Sequence, residues 1–513
     1  MKIGIFRAFM GLLCLPLFGQ SLSNALIYNQ TSFEGSARFT SMGGAYTAIG
    51  GDLNAMTINP AGSSIYAFSE LGLSINTVNS DLESSYFGSQ LQSTNEKFSI
   101  DQFGLVFVLK ETQIEGWSKI SFGFNYQKTH NFKVGYKASG YNPNNGLDNY
   151  FLHYADGLFF DTISQLDGED FDQAYTDIGQ TENLGFAAQQ ALFGYEGYVI
   201  NPIPLESDPE NFNNANIQNY SSNTLPAGNG YFHEFHNDMR GSANKYTFNM
   251  SAAYNNKFYI GLNVNTHKIE HRQSLDFFES NYATDSFIQA MRFNNQLVTT
   301  ADGLSFNFGM IYKLNSNLRL GMSYESPTYY TVFEEIRQFL VNEDIDGVVL
   351  ELNPKIDLLF PEYNLKTAGI LRTGITYIFS DKAILSADFS SKSNQNIRFD
   401  PREDSFLAEL NEKAENQVQS SNILQLGGEL RVTPQLSLRV GYIDESASRK
   451  DFDNGYSMQT AGFGYSFGSK NLDFSIRRGT LSDSQKVFDA GFTDSIRINS
   501  EKTQFSLTYR VKL

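Results

Sequence analysis

Histidine and acidic side chains that could bind a metal ion occur in three short stretches. Two stretches hold paired histidines and one holds four carboxylates: His233-Glu234-Phe235-His236, the pair His267 and His271, and Asp167-Gly168-Glu169-Asp170-Phe171-Asp172. Neither histidine stretch matches the helical zinc-protease pattern, and the acidic stretch lacks the glycine at position six of an EF-hand loop. We interpret all three as loop or strand residues and expect no metal site, with a weak external calcium site at the acidic stretch as the alternative.

Residues for other catalytic chemistry form no recognisable site. The chain has no Gly-x-Ser-x-Gly nucleophile motif and no glycine-rich phosphate-binding loop. Its six histidines show no nucleophile–base pattern. We therefore expect no enzymatic activity and no cofactor.

The composition favours an all-β protein that is secreted or lies in a membrane. Aromatic residues make up 14% of the 513 residues, with 44 Phe and 28 Tyr. No run of about eighteen apolar residues occurs outside the N-terminus, so membrane-spanning helices are not predicted. The formal net charge of −18 argues against nucleic acid as a partner, because nucleic acid attracts basic surfaces.

Residues 1–25 have the features of a cleaved signal peptide. Lys2 and Arg7 precede an apolar run, and Ser23-Asn24-Ala25 resembles a cleavage site. The only cysteine, Cys14, lies in that run without the small preceding residue of a lipoprotein signal. The predicted mature chain therefore has no cysteine and no disulfide.

Fourteen segments of the remaining chain alternate between apolar and polar residues, which is the pattern of a strand with one apolar face. They are approximately 71–75, 103–109, 120–126, 246–254, 258–264, 304–310, 318–324, 371–379, 383–389, 424–432, 436–442, 461–467, 472–476 and 505–513.

The connections between these segments alternate between short and long. Short ones include Asn255-Asn256-Lys257, Asn315-Ser316-Asn317 and Ser380-Asp381-Lys382, whereas long ones include 268–300 and 326–365. Outer-membrane barrels have short periplasmic turns and longer extracellular loops. The sequence therefore predicts a fourteen-stranded antiparallel transmembrane β-barrel over residues 69–513.

The segment at about 139–244 is too long for a simple loop and is predicted to fold partly on itself. Within it, Phe186-Ala187-Ala188-Gln189-Gln190-Ala191-Leu192-Phe193 has the composition of a short helix. We expect this insertion to form an extracellular cap over the barrel mouth.

A block of small residues from Ser36 to Gly62 precedes the first strand and shows neither helical nor strand periodicity. Small side chains allow close backbone packing, and Pro60 removes a donor and restricts Asn59 to an extended conformation. Such a segment cannot build its own core. We expect it to lie inside the barrel, so that residues 26–68 form an N-terminal hatch that plugs the lumen.

This block closely resembles the start of the FadL/TodX family of outer-membrane transport proteins. The resemblance rests on Gly43-Gly44-Ala45, then Asp52, then Asn59-Pro60-Ala61-Gly62 immediately before the first strand. Beyond the block, the resemblance is one of architecture: fourteen strands and an N-terminal extension.

The resemblance implies a monomeric barrel in the outer membrane of a diderm bacterium that takes up hydrophobic molecules, such as long-chain fatty acids or aromatic hydrocarbons. It implies hatch or gating roles for six residues: Gly43, Gly44, Asp52, Asn59, Pro60 and Ala61. It also implies lateral release into the lipid bilayer at a kinked third strand, for which Gly123 is the candidate.

Three other interpretations of the same sequence differ in how well they fit it. A barrel of this design could serve protein secretion as a partner or shuttle component in the outer membrane. A general porin would need an open lumen, which conflicts with the predicted hatch. A soluble secreted β-protein would have no reason to sort its loops by length.

Overall fold

The computed structural model describes residues 21–110, 116–181 and 185–513. Most of the predicted signal peptide, including Cys14, lies outside the described residues. Residues 21–25, which end the predicted signal peptide, are described, and Ala25 lies within a short helix, α1 (Leu22–Tyr28).

Fourteen wall strands follow one another around the barrel in chain order, and several are built from more than one segment. They are β1 (Glu70–Tyr86), β2 (Ser89–Lys110), β3 (Trp117–Asn131 and Val134–Asn142), β4 (Tyr231–Tyr254), β5 (Phe258–Ser280), β6 (Ile288–Lys313), β7 (Leu318–Glu325 and Tyr329–Asp344), β8 (Tyr363–Lys366 and Ile370–Phe379), β9 (Ala383–Lys392 and Arg398–Asp400), β10 (Ser421–Arg431), β11 (Leu436–Glu445), β12 (Tyr456–Ser466), β13 (Lys470–Lys486) and β14 (Ser495–Lys512). Short segments at Val349–Leu352 and Leu358–Leu359 pair with the outer half of β7.

All neighbouring wall strands pair antiparallel, and the sheet closes on itself where β1 pairs with β14 from Glu70↔Lys512 onwards. Phe122, Phe248 and Leu262 point outwards and are exposed, whereas Asn249 and Asn263 are buried in the interior. An apolar exterior with a polar interior is the pattern of a barrel surrounded by lipid. The predicted fourteen-stranded antiparallel barrel is confirmed.

The strands extend further outwards than the apolar alternation predicts. β4, β5 and β6 contain 24, 23 and 26 residues, so much of the predicted 268–300 loop is strand. A strand of about ten residues crosses the apolar layer of a membrane. Beyond that layer the hydrogen-bond ladder continues, but the outer face no longer needs to be apolar, and the sequence signal ends.

The N-terminal segment lies inside the barrel. After α1 it forms two further short helices, α2 (Ala37–Ser41) and α3 (Ala55–Ile58), and a 3-10 helix at Pro60–Ile65. Nearly all of residues 36–64 are buried, in contact with inward-facing wall residues. The predicted hatch segment therefore fills the lumen. None of the described helices is long and apolar enough to cross a membrane.

The long insertion folds at the end of the barrel that carries the long connections. It contains α4 (Asp148–Ala155), α5 (Phe171–Gln180) and α6 (Gly185–Glu196), followed by a small hairpin of Ile200–Pro202 and Tyr220–Ser222. The helix predicted around residues 186–193 is present as α6. We call residues 143–230 the cap.

The cap packs on the wall through aromatic side chains. The Phe293 ring on β6 lies 5.6, 5.3 and 5.9 Å, between centroids, from the rings of Tyr150, Phe151 and Phe193. The carboxylate of Glu279 on β5 accepts a hydrogen bond from the backbone N–H of Leu147 at 2.7 Å. These buried aromatic contacts and this hydrogen bond attach the cap to the barrel. A last helix, α7 (Ser405–Gln417), covers the N-terminal helix α1.

Candidate functional site

Gly43 and Gly44 allow the hatch to touch the wall. Both have positive φ, +62° and +70°, which favours glycine. A Cβ on Gly43 would lie 2.9 Å from the backbone of Leu426 and Tyr442, and one on Gly44 would lie 2.5 Å from the Gln425 amide. Gln425 instead donates to the Gly43 carbonyl at 2.8 Å. The two glycines therefore join the hatch to strands β10 and β11.

Asp52 holds the hatch together internally. Its side chain is fully buried, and its two oxygens accept hydrogen bonds from the Ser36 hydroxyl at 3.0 and 2.8 Å. It also accepts from the backbone N–H of Asn54 at 2.9 Å. Because Ser36 and Asn54 directly precede α2 and α3, this carboxylate links the two helices of the hatch.

Asn59 connects the hatch to the opposite wall. Its amide nitrogen donates to the carbonyls of Thr47 at 2.7 Å and Met310 at 3.0 Å, and its amide oxygen accepts from the N–H of Ala61 at 3.1 Å. Thr47 belongs to the hatch and Met310 to β6. A Cβ on Gly309 would overlap the Asn59 side chain, so that glycine makes the contact possible.

Pro60 and Ala61 complete this contact. The Pro60 carbonyl accepts a hydrogen bond from the Asn249 amide of β4 at 3.0 Å. Ala61 is fully buried beside Ala253, Tyr259 and Ile311 of the wall. Five of the six predicted hatch residues thus contact opposite walls, Gly43 and Gly44 at β10–β11 and Asn59 to Ala61 at β4–β6, whereas Asp52 bonds within the hatch.

Gly123 lies in a regular part of the third strand. It pairs with Val106 on one side and Asn249 on the other, without a change of register. Its missing side chain accommodates the Met56 sulfur of the hatch, which would lie 2.5 Å from a Cβ. The register of β3 against β4 shifts at the start of the strand, between Trp117 and Lys119, and again further out, between Lys128 and His130.

The outer halves of β2 and β3 separate at this second register shift. Their ladder runs only from Lys110↔Lys119 to Gln102↔Gln127. Further out, residues 89–100 of β2 pair with β1, and residues 128–142 of β3 pair with β4. Among the described residues, no backbone ladder joins these two outer halves. We call this break in the wall the seam.

Side chains bridge the seam where the backbone ladder is missing. The Asn95 amide donates to the Gly135 carbonyl and accepts from the Gly135 N–H, both at 2.8 Å. The Lys97 ammonium donates to the Asn131 carbonyl at 3.0 Å. A few side-chain hydrogen bonds are easier to break and re-form than a continuous strand ladder.

A cavity lies directly inside the seam. It is lined by both sides of the break, by the hatch and by the neighbouring strands β1 and β12 to β14: Glu34, Asn76, Val78, Lys97, Ser99, Asp101, Lys128, Thr129, His130, Asn131, Met458, Arg477, Gly479, Lys502 and Gln504. Four of these side chains are cationic and two are acidic. Its net charge is therefore positive, although the whole chain is acidic.

A second cavity shares Thr129 with the first and lies between α1, the hatch and strands β3, β4, β5, β7, β8 and β9. Its charged residues are Lys245, Arg372, Lys392 and Glu325. Glu325 pairs with Lys245 and, at 2.9 Å, with Arg372. The other terminal nitrogen of Arg372, Nη1, is buried and has no hydrogen-bond partner among the described residues. Tyr28, Ile58, Tyr330 and Ile370 supply apolar lining.

These cavity cations do not stand out in the sequence. Lys245, Arg372 and Lys392 are isolated charges within strands, and each resembles a solvated residue when considered alone. The sequence signal that could identify them is their position in the alternating pattern, which places them on the strand face that points into the lumen.

The histidines singled out in the sequence are not brought together. His233 points inwards, with hydrogen bonds of 2.9 Å to Tyr86 and Glu279, whereas His236 is exposed on the opposite face. His267 bonds to Ser305, and His271 bonds to Tyr28 of α1, each at 2.9 Å. Among the described residues, no group of three or more His, Cys, Asp or Glu side chains could hold a metal ion.

Comparison with solved structures shows which barrels share this fold. The toluene transporter TodX of P. putida superposes with a TM-score of 0.54 at 13% identity, over 94% of this chain and 99% of TodX. A FadL homologue of Pseudomonas aeruginosa superposes with a TM-score of 0.55 at 11% identity, over 94% of this chain and 100% of the homologue. No protein-family model matches the sequence, and no curated relative matches it. The chain therefore shares the complete fold of these barrels at low sequence identity.

Proposed function

We propose that this chain resides in the outer membrane and takes up hydrophobic molecules that carry an anionic head group, with long-chain fatty acids as the simplest case. The observation that carries the proposal is a cationic pair of cavities that is closed below by the hatch and bordered laterally by the seam. The shared fold with a toluene transporter and a FadL homologue supports transport of hydrophobic compounds.

The charge of the cavities favours an amphiphile over a neutral hydrocarbon. The free Nη1 of Arg372 and the ammonium groups of Lys245 and Lys392 would bind a carboxylate. The apolar side chains of Tyr28, Ile58, Tyr330 and Ile370 would contact the hydrocarbon chain.

Lateral release fits the same geometry. A hydrocarbon chain gains nothing by entering water, so an exit through the periplasmic end would oppose the hydrophobic effect. In our proposal, opening of the side-chain bridges of Asn95 and Lys97 lets the ligand pass from the cavity into the bilayer. Met56 of the hatch contacts Gly123 of β3, one of the two strands at the seam, and in our proposal this contact couples movement of the hatch to the seam.

Ligand binding to the purified protein in lipid nanodiscs tests this proposal. We expect oleate to bind at least about tenfold more tightly than oleyl alcohol, which has the same chain without the charge. Arg372→Gln should remove most of this preference. Arg337→Gln is the matched control, because Arg337 forms an exposed ion pair with Asp357 outside the barrel.

Two results would contradict the proposal. Equal affinity for oleate, oleyl alcohol and toluene, unchanged by Arg372→Gln, would show that the cavity cations do not select the ligand. Free passage of small polar solutes through planar bilayers, with no oleate binding, would indicate a general porin instead.

A further inference from the structure

A patch of large apolar side chains lies exposed on the extracellular surface, away from both cavities. Tyr198 and Leu225 belong to the cap, Phe287 lies between β5 and β6, and Ile345 lies in the turn after β7. Their exposed fractions are 55%, 51%, 38% and 48%. These four positions lie beyond the lipid-facing band, so contact with lipid does not account for them.

Direct contacts make these residues one surface. The rings of Tyr198 and Phe287 meet edge to face at 5.7 Å between centroids. The Phe287 carbonyl accepts a hydrogen bond from the Ile345 N–H at 2.9 Å. The Leu225 N–H donates to the Ser286 hydroxyl at 3.1 Å. We call these four residues the apolar patch. The Leu225 carbonyl also accepts a hydrogen bond from the Ala283 N–H at 2.8 Å. Because backbone hydrogen bonds hold three of the four segments together, the patch is preformed.

The surroundings of the patch are strongly acidic. The short segments that hold these four residues, 196–198, 225, 285–287 and 343–346, carry five carboxylates and no basic residue: Glu196, Asp285, Glu343, Asp344 and Asp346. The cap as a whole contains 13 Asp and Glu residues, and no Lys or Arg occurs between Lys137 and Arg240. An apolar centre with a rim of one charge sign is the arrangement of a protein-binding surface.

We propose that the apolar patch and its acidic rim form a docking surface for a partner protein that presents apolar side chains within a basic surface. Complementary charge would attract and orient the partner, and the four apolar side chains would supply most of the affinity. This inference goes beyond the proposed transport function and does not depend on it.

Other occupants fit the charge poorly. A second copy of this chain would place one acidic cap against another, and like charges across an interface are costly. Anionic lipid head groups and nucleic acid would be repelled for the same reason. A neutral hydrophobic ligand would leave the acidic rim without a role.

Binding of a defined peptide to the full-length protein in nanodiscs tests the charge and apolar requirements. The probe is a short peptide of alternating lysine and phenylalanine, compared with polylysine and with a peptide of alternating glutamate and phenylalanine. We expect the Lys–Phe peptide to bind at least about tenfold more tightly than either. Raising the ionic strength from about 0.1 M to about 1 M should weaken it strongly, because the Debye length falls to about 3 Å.

Variants then locate the binding surface. Phe287→Ser with Ile345→Ser should weaken binding of the Lys–Phe peptide about tenfold or more, and Asp285→Asn with Asp346→Asn should reduce its salt dependence. Phe212→Ser is the matched control, since Phe212 is 56% exposed in another part of the cap. Heat-modifiable gel migration verifies that each variant is folded.

The natural partner is sought with a photoreactive amino acid at position 287 in living cells, with position 212 as the control. A protein cross-linked only from 287, whose purified form binds through a basic surface and is weakened by the serine variants, would support the proposal. Equal binding of the three peptides, an unchanged affinity in the serine variants, or cross-links at 287 to lipid alone or to no protein would overturn it.

Discussion

Asn59→Ala should loosen the hatch while leaving the barrel intact. In the folded protein, the Asn59 side chain satisfies the Thr47 carbonyl and the Ala61 N–H, both of which lie in the buried hatch. Alanine can replace neither bond. The bonds to the Met310 and Met322 carbonyls are also lost, but those carbonyls belong to the wall strands β6 and β7 rather than to the hatch.

The expected magnitude follows from the two groups that are left unsatisfied. A buried backbone group without a partner costs about 1–3 kcal/mol, so two groups at about 1.5 kcal/mol each destabilise the closed hatch by about 3 kcal/mol. At about 1.4 kcal/mol for each factor of ten, the displaced hatch becomes more populated by about 100-fold. The barrel strands keep all their backbone pairs and should remain folded.

Planar-bilayer conductance and hydrogen exchange measure this change. We expect frequent channel openings and faster exchange of the amides between residues 47 and 61 in Asn59→Ala. Asn216→Ala, at an exposed position of the cap, is the control and should behave like the unaltered protein. If Asn59→Ala shows the conductance and exchange of the unaltered protein, the idea that this side chain holds the hatch closed is wrong.

Three further outcomes are expected. Gly309→Ala places a Cβ on the Asn59 side chain, so it should loosen the hatch by about 1–3 kcal/mol and increase conductance; unchanged conductance would contradict the close packing. A Cβ on Gly135 would lie 3.7 Å from the Asn95 amide oxygen, so cysteines at both positions can be joined by a reducible linker. The linked variant should lower oleate uptake by cells at least about tenfold until the linker is reduced, whereas Asn95→Cys alone should not. Burial raises the pKa of Asp148 in the cap to about 6, so the folded cap retains a proton that the unfolded chain has already lost. Cap stability, measured by hydrogen exchange, should therefore fall as pH rises from about 4 to about 6, and Asp148→Asn should remove that dependence.

Much of the architecture could be predicted from the sequence because lipid imposes a simple rule. Each strand must present apolar residues to the bilayer at every second position, and that rule makes segments such as 120–126 and 246–254 visible. The small-residue block from Ser36 to Gly62 was likewise recognisable, since a segment that cannot form its own core must be enclosed by another.

Only the tertiary structure shows what the alternation cannot encode. The seam arises because, beyond Gln102 and Gln127, β2 pairs only with β1 and β3 pairs only with β4. Neither strand has an unusual sequence there. The cavity cations come from strands far apart in the chain, and the patch joins side chains from four segments. Alternation of side chains specifies which residues face lipid and which face the lumen, whereas the register and separation of the strands decide which inward-facing residues meet.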